Sequence, residues 1–167
     1  MKNLIFNVDI ENKNVVVQKT VEASIDLVWK IFSSGELMAK WWGPKTWPAS
    51  SVSFDFRPGG HWHYFMQGPD GTRSYGWSGY LEISEKKEII LNDIFCDEKG
   101  IVNNEMPKTL TRIRFESLGD ETEIIFESTY DSVDDIKKVV ELGFQAGFTD
   151  ALDNLDTLVE EMKKTNG

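Results

Sequence analysis

A chain of 167 residues, 40% hydrophobic and 28% charged, has the size and composition of one globular domain, read here as spanning residues 1–167. Its formal net charge of −10 speaks against binding a nucleic-acid backbone or an anionic membrane surface. One cysteine, Cys96, excludes an internal disulfide, and no apolar stretch approaches the roughly 20 residues of a membrane span. The lone thiol and the lack of a signal-peptide pattern in "MKNLIFNVDIENKNV" point to a reducing cytoplasm.

In chain order, "NVVVQKTVEA" (14–23) is rich in β-branched residues and predicts the first strand. "SIDLVWKIFSS" follows as a helix, with Ile25, Val28, Trp29 and Phe32 on one face, Ser24 as N-cap and Asp26 in the first turn. "SGELMAKWW" predicts a short second helix, stopped by Gly43 and Pro44. A strand meander comes next. "SSVSFDF" places Val52, Phe54 and Phe56 on one face, and "HWHYFMQ" turns at "GPDG" into "TRSYGWSGYLEIS". "EIILNDIFC", "KTLTRIRFESL" and "ETEIIFESTY" are three further strands, the last two joined at Gly119-Asp120. Apolar residues from Phe144 to Met162 at spacings of three and four predict one long helix over 134–164. Gly143 and Gly147, four apart within it, predict a close approach to the sheet or to whatever lies between. This order specifies an α+β layer fold: an antiparallel sheet with helices over one face. A curved sheet gripping one long helix leaves a cavity, a favoured ligand site.

Parity assigns the strand faces. Trp62, Tyr64 and Met66 form the inward set of their strand, answered by Tyr75, Trp77, Leu81 and Ile83 on the return. His61 and His63, the only histidines, then point outward into solvent on the convex face. A metal would need further ligands from Cys96, Asp93 or Glu82, and no spaced ligand cluster exists, so no metal or cofactor is expected. Arg57, on the parity of Asp55, is expected to tie its loop to a strand through an ion pair, with contact to a carboxylate ligand as the alternative. Arg112 and Arg114 are expected to form an outer charged face with Glu121, Glu123 and Glu127, where Ile125 is the one apolar member. The six tryptophans all lie between Trp29 and Trp77, and read equally as a large aromatic core or as a pocket wall. Trp41, Trp42 and Trp47 read either as a mouth or as a plug on the sheet edge.

The segments "SIDLVWKIFSSGELMAKWWGP", "FDFRPGGHWHYFMQGPDG", "GYLEIS" and "GFTDALDNL" resemble the family of activator-of-heat-shock-protein-ATPase homologues. That family belongs to the START, or birch-pollen-allergen-like, superfamily (SRPBCC). The resemblance runs from about Val15 to Met162 and departs from the family pattern at Phe148, where a tryptophan is usual. It implies the helix-grip fold: a curved antiparallel sheet wrapped around a long C-terminal helix, with two short helices after the first strand. The family mixes ligand binders, a co-chaperone domain and proteins of unknown role.

No phosphate loop, dinucleotide fingerprint, nucleophile elbow or zinc motif occurs in the chain. The leading expectation is therefore binding of a small hydrophobic or amphipathic molecule by Trp41, Trp42, Trp62, Tyr64, Met66, Tyr75, Trp77, Phe144 and Phe148. The alternatives are a module that assists a chaperone in the stress response, and a small cyclase, dehydratase or hydrolase using the same pocket.

Overall fold

The computed structural model describes residues 3–166. Its strands are β1 (Leu4–Asp9), β2 (Asn14–Val21), β3 (Ala49–Asp55), β4 (His61–Gln67), β5 (Arg73–Ser84), β6 (Glu88–Cys96), β7 (Thr109–Ser117) and β8 (Thr122–Tyr130). The helices are α1 (Ile25–Phe32), α2 (Gly35–Trp41), α3 (Val133–Glu141) and α4 (Phe144–Asn166). All eight strands join one antiparallel sheet in the order β1-β2-β8-β7-β6-β5-β4-β3. The order is that of an open α+β helix-grip fold. The long helix α4 meets the sheet at β8, where Phe148 packs on Phe126, and at β2, where Asp156 meets Lys19.

Local chemistry explains most boundaries. Ser24, Ser34 and Ser132 cap α1, α2 and α3, each accepting a backbone N–H three residues on. The β4–β5 hairpin turns at 68–71, where Asp70 Oδ1 accepts from Thr72 N at 2.9 Å. On β2, Val15, Val17 and Val21 alternate into the core. Lys19 shares that parity and is 2% exposed; its ammonium meets Asp156 of α4 at 2.7 Å.

Three expectations need correction. The strand at Asn14 is the second: Leu4, Phe6 and Val8 alternate onto the core, and β1 pairs with β2 across a tight connection. The long C-terminal helix is two helices. The α3 amide ladder ends with Leu142 N–H on Lys138 C=O, and Gly143 takes φ +83°, which ends α3 before α4 begins at Phe144. Gly147 does lie in α4, but it admits Pro44 rather than the sheet: a Cβ there would stand 3.3 Å from Pro44 Cγ.

Two bulges re-aim the sheet side chains. One lies between Ser51 and Ser53, so Val52 is exposed and does not share the face of Phe54 and Phe56, which pack on the core. The other lies between Tyr80 and Glu82. Tyr80 is buried inward, Leu81 is exposed, and Ile83 returns to the core three residues after Tyr80 instead of two or four. On the outer face Arg57 pairs with Asp55, and Arg114 with Glu127 at 3.6 Å; Arg112 turns to Glu88 of β6 instead. Ile125 is buried although it lies on that side.

Candidate functional site

The inward faces of β4 to β8 and the start of α4 enclose a chamber of about 230 Å³. It adjoins a wider, more open groove of about 1000 Å³ between the Trp42–Trp47 segment, the end of β6 and the α3–α4 junction. Trp42, Met66, Phe144 and Phe148 line both spaces and so form the passage between them.

Aromatic rings build the walls. Trp62 stacks on Tyr64 at 4.2 Å between centroids, and Trp42 meets Trp62, Tyr64 and Phe148 edge to face at 6.0, 6.2 and 5.8 Å. Phe148 stands nearly perpendicular to Phe126 at 5.0 Å and stacks on Phe144 at 5.5 Å. The Trp62 indole donates to Ser51 Oγ at 2.9 Å, and Ser51 donates onward to Gly35 C=O at 2.8 Å. This fixes the ring and removes its donor from any ligand. Gly76, opposite Tyr64 across the ladder, makes room for that ring: a Cβ there would lie 2.5 Å from the phenol oxygen.

The floor is polar. Ser78 of β5 donates to Asp93 Oδ1 of β6 at 2.6 Å, and Thr111 of β7 meets Ser128 of β8 at 3.0 Å. Asp93 and Ser78 are direct cross-strand partners, as are Thr111 and Ser128. Asp93 shares the parity of Ile89 and Leu91, which takes its carboxyl inward. Asp93 lines the chamber. Removal from bulk water pushes its pKa up to about 6, against the opposing effect of the Ser78 and Thr111 hydroxyls. Tyr64 and Tyr80 are pushed well above the usual phenol range, by burial first and then by the Asp93 charge; burial likewise pushes Tyr130 up to about 12. All three therefore keep their protons at neutral pH. Cys96 lines the outer groove, where burial and then Asp97 push its thiol up to about 11, leaving it a poor nucleophile.

Of the nine residues expected at the site, Trp42, Trp62, Tyr64, Met66, Tyr75, Phe144 and Phe148 line the chamber. Trp41 does not. It is fully buried behind Trp42, against Phe32, with its indole N–H unpaired. Trp77 does not either: its register partner on β4 is His63, so it stands on the opposite face, stacked on His61 at 4.1 Å. Tyr75 borders the chamber by position, while its ring packs outward on Phe65 and His63. The histidines do lie opposite Trp62 and Tyr64, yet His63 is not in solvent. It is 4% exposed, under the segment 97–100, with Nε2 3.1 Å from Asp97 C=O. Among the described residues, no group of three His, Cys, Asp or Glu side chains is placed to hold a metal.

The polar floor was missed from the sequence. One signal for it existed: Asp93 is the only acidic residue on the inward parity of the otherwise apolar strand Glu88–Cys96. Ser78 and Tyr80 stand on the parity of β5 opposite to the Tyr75, Trp77 and Leu81 set that the sequence predicts as inward.

The sequence matches the family described as "Activator of Hsp90 ATPase homolog 1-like protein" over residues 22–160. No curated protein matches. A solution structure of a protein from Arthrobacter aurescens superposes with a TM-score of 0.90 at 29% identity, covering 96% of this chain and 93% of that one. A crystal structure of a Mycobacterium smegmatis protein gives 0.85 at 27%, over 93% and 96% of the two chains. A Staphylococcus epidermidis protein, at 22% identity and 0.81 over 94% of each chain, shares the fold. No helix among the described residues is long and apolar enough to cross a membrane.

Proposed function

Since the chain belongs to the Activator of Hsp90 ATPase homolog 1-like family, we propose that it works as a binder of a small amphipathic molecule, held in the chamber between sheet and α4. The observation that carries this reading is the unfilled chamber itself. Large rings surround it edge to face yet leave about 230 Å³, continuous with an outer groove of about 1000 Å³. A protein core of this size is ordinarily packed without such voids. The apolar walls suit a hydrophobic body, and the Ser78–Asp93 and Thr111–Ser128 pairs suit a polar end. The single free thiol and acidic composition fit a cytoplasmic setting.

Trp42 and Trp62 report on occupancy directly. Titration with fatty acids, sterols, flavonoids and polyketide-like aromatics is expected to give a saturable change in tryptophan emission with at least one class. Met66→Trp, which fills the passage, is expected to abolish that change. A flat response across the panel overturns the reading. Stimulation of an Hsp90-type chaperone ATPase, the activity in the family's description, is the alternative assay.

A further inference from the structure

We propose that the buried end of the ligand carries a protonated amine, which Asp93 receives at the floor of the chamber. This rests on the reading of the chamber as a ligand site and names the chemistry of its occupant. Among the described residues, Asp93 is the only charged side chain that lines the chamber; no lysine, arginine or histidine does. Two cations of the fold engage other groups: Lys19 meets Asp156, and Arg73, at the groove, meets Gln67 and the face of Phe65.

Two hydroxyls act on the carboxylate: Ser78 donates to Oδ1 at 2.6 Å, and Thr111 is the other. A carboxylate accepts at about four lone-pair positions, so this one has capacity left for a ligand N–H. The groups around it come from every strand of the floor: Tyr64 of β4, Ser78 and Tyr80 of β5, Thr111 of β7 and Tyr130 of β8. All are neutral, and the phenols keep their protons, so the negative charge is not shared or cancelled.

The walls favour the same ligand. Trp42, Trp62 and Tyr64 line the chamber, and aromatic rings attract a desolvated cation. A ligand carboxylate at the floor would face Asp93 with no counter-ion, a like-charge contact in a low-dielectric space. The chamber therefore discriminates by charge sign. Cationic amphiphiles are accepted, neutral alcohols are weaker, and carboxylates are rejected.

Three probes of one shape test this: 2-naphthylethylamine, 2-naphthylethanol and 2-naphthylacetate, titrated by calorimetry at neutral pH and physiological salt. The expected order is amine, alcohol, carboxylate, with the amine about tenfold or more tighter than the alcohol, as a charge-assisted hydrogen bond supplies. In Asp93→Asn the amine preference is expected to vanish. A general attraction to the acidic surface would survive that single change, so persistence of the preference overturns the proposal. Equal binding of all three probes by the wild type also overturns it and leaves the ligand-binding reading standing. If no probe binds, both fall. The wild-type comparison needs no variant, so poor folding of Asp93→Asn does not remove the test.

Discussion

Asp93 lowers the stability of the empty protein, and the pH dependence gives its sign. Its pKa rises from an ordinary 3.8 to about 6 on folding, because burial disfavours the charged form. The native state then holds its proton more tightly than the unfolded chain. Below the unfolded value both states are protonated and the site contributes nothing. As pH rises from about 4 to 6 the unfolded state ionises first, and native stability falls; above 6 the loss is complete. Tyr64, Tyr80, Tyr130, Ser78 and Thr111, the groups facing it, stay neutral throughout that window. Asp93→Asn is therefore expected to raise stability by about 1–3 kcal/mol at pH 7.5 and by almost nothing at pH 4, read by urea unfolding. A gain that is equal at both pH values would remove burial as the cause. Residues such as these were legible in parity but not in surroundings. Alternation placed the histidines opposite Trp62 correctly, yet nothing local to "HWHY" announces that the segment 97–100 folds over His63.

At the scale of elements, Lys19 and Asp156 tie β2 to α4 at 2.7 Å, with the lysine 2% and the aspartate 37% exposed. An ammonium so deep needs its partner more than the partner needs it. Asp156→Ala is expected to destabilise by about 1–4 kcal/mol, since it removes the carboxylate that meets a buried ammonium at 2.7 Å. Lys19→Met, which keeps the stem and removes the charge, is expected to stay within about 1 kcal/mol of wild type. Thermal melts of both variants check this, and equal losses would mean that packing rather than charge holds the contact. Strands β2, β7 and β8 were readable from the sequence because apolar residues dominate one parity of each, even where Lys19, Thr111 and Ser128 interrupt it. Strands β3 and β5 were not. A bulge inserts one residue and reverses parity beyond it, which is why Leu81 had to be exposed and Ile83 buried. The α3–α4 break was similarly obscured: the apolar spacing on both sides continues, and only the positive φ of Gly143 separates the helices.

The whole molecule has a firm part and a part that must open. Strands β7 and β8 are paired on both edges, and α4 and α1 lie across them through Leu152, Leu155, Phe32 and Phe115. The groove instead meets the chamber at connections: the Trp42–Trp47 segment, held to α4 by Lys45–Asp153 and by Asn154 on the Gly43 and Trp41 carbonyls, and the α3–α4 junction, where Leu142 is 59% exposed. The overall grip was legible because the order of elements and the amphipathic C-terminal stretch dictate it. The opening was not, since it arises where three segments distant in sequence fail to close. Few buried contacts and an interrupted amide ladder mark these connections as the places of lowest local stability. Hydrogen exchange is thus expected to be slowest in β7 and β8 and fastest at residues 42–47 and 141–147. A saturating ligand is expected to add protection mainly at those two segments, because its entry and retention depend on them closing together. Protection gained at the β1–β2 edge with none at residues 42–47 or 141–147 would place the entrance elsewhere.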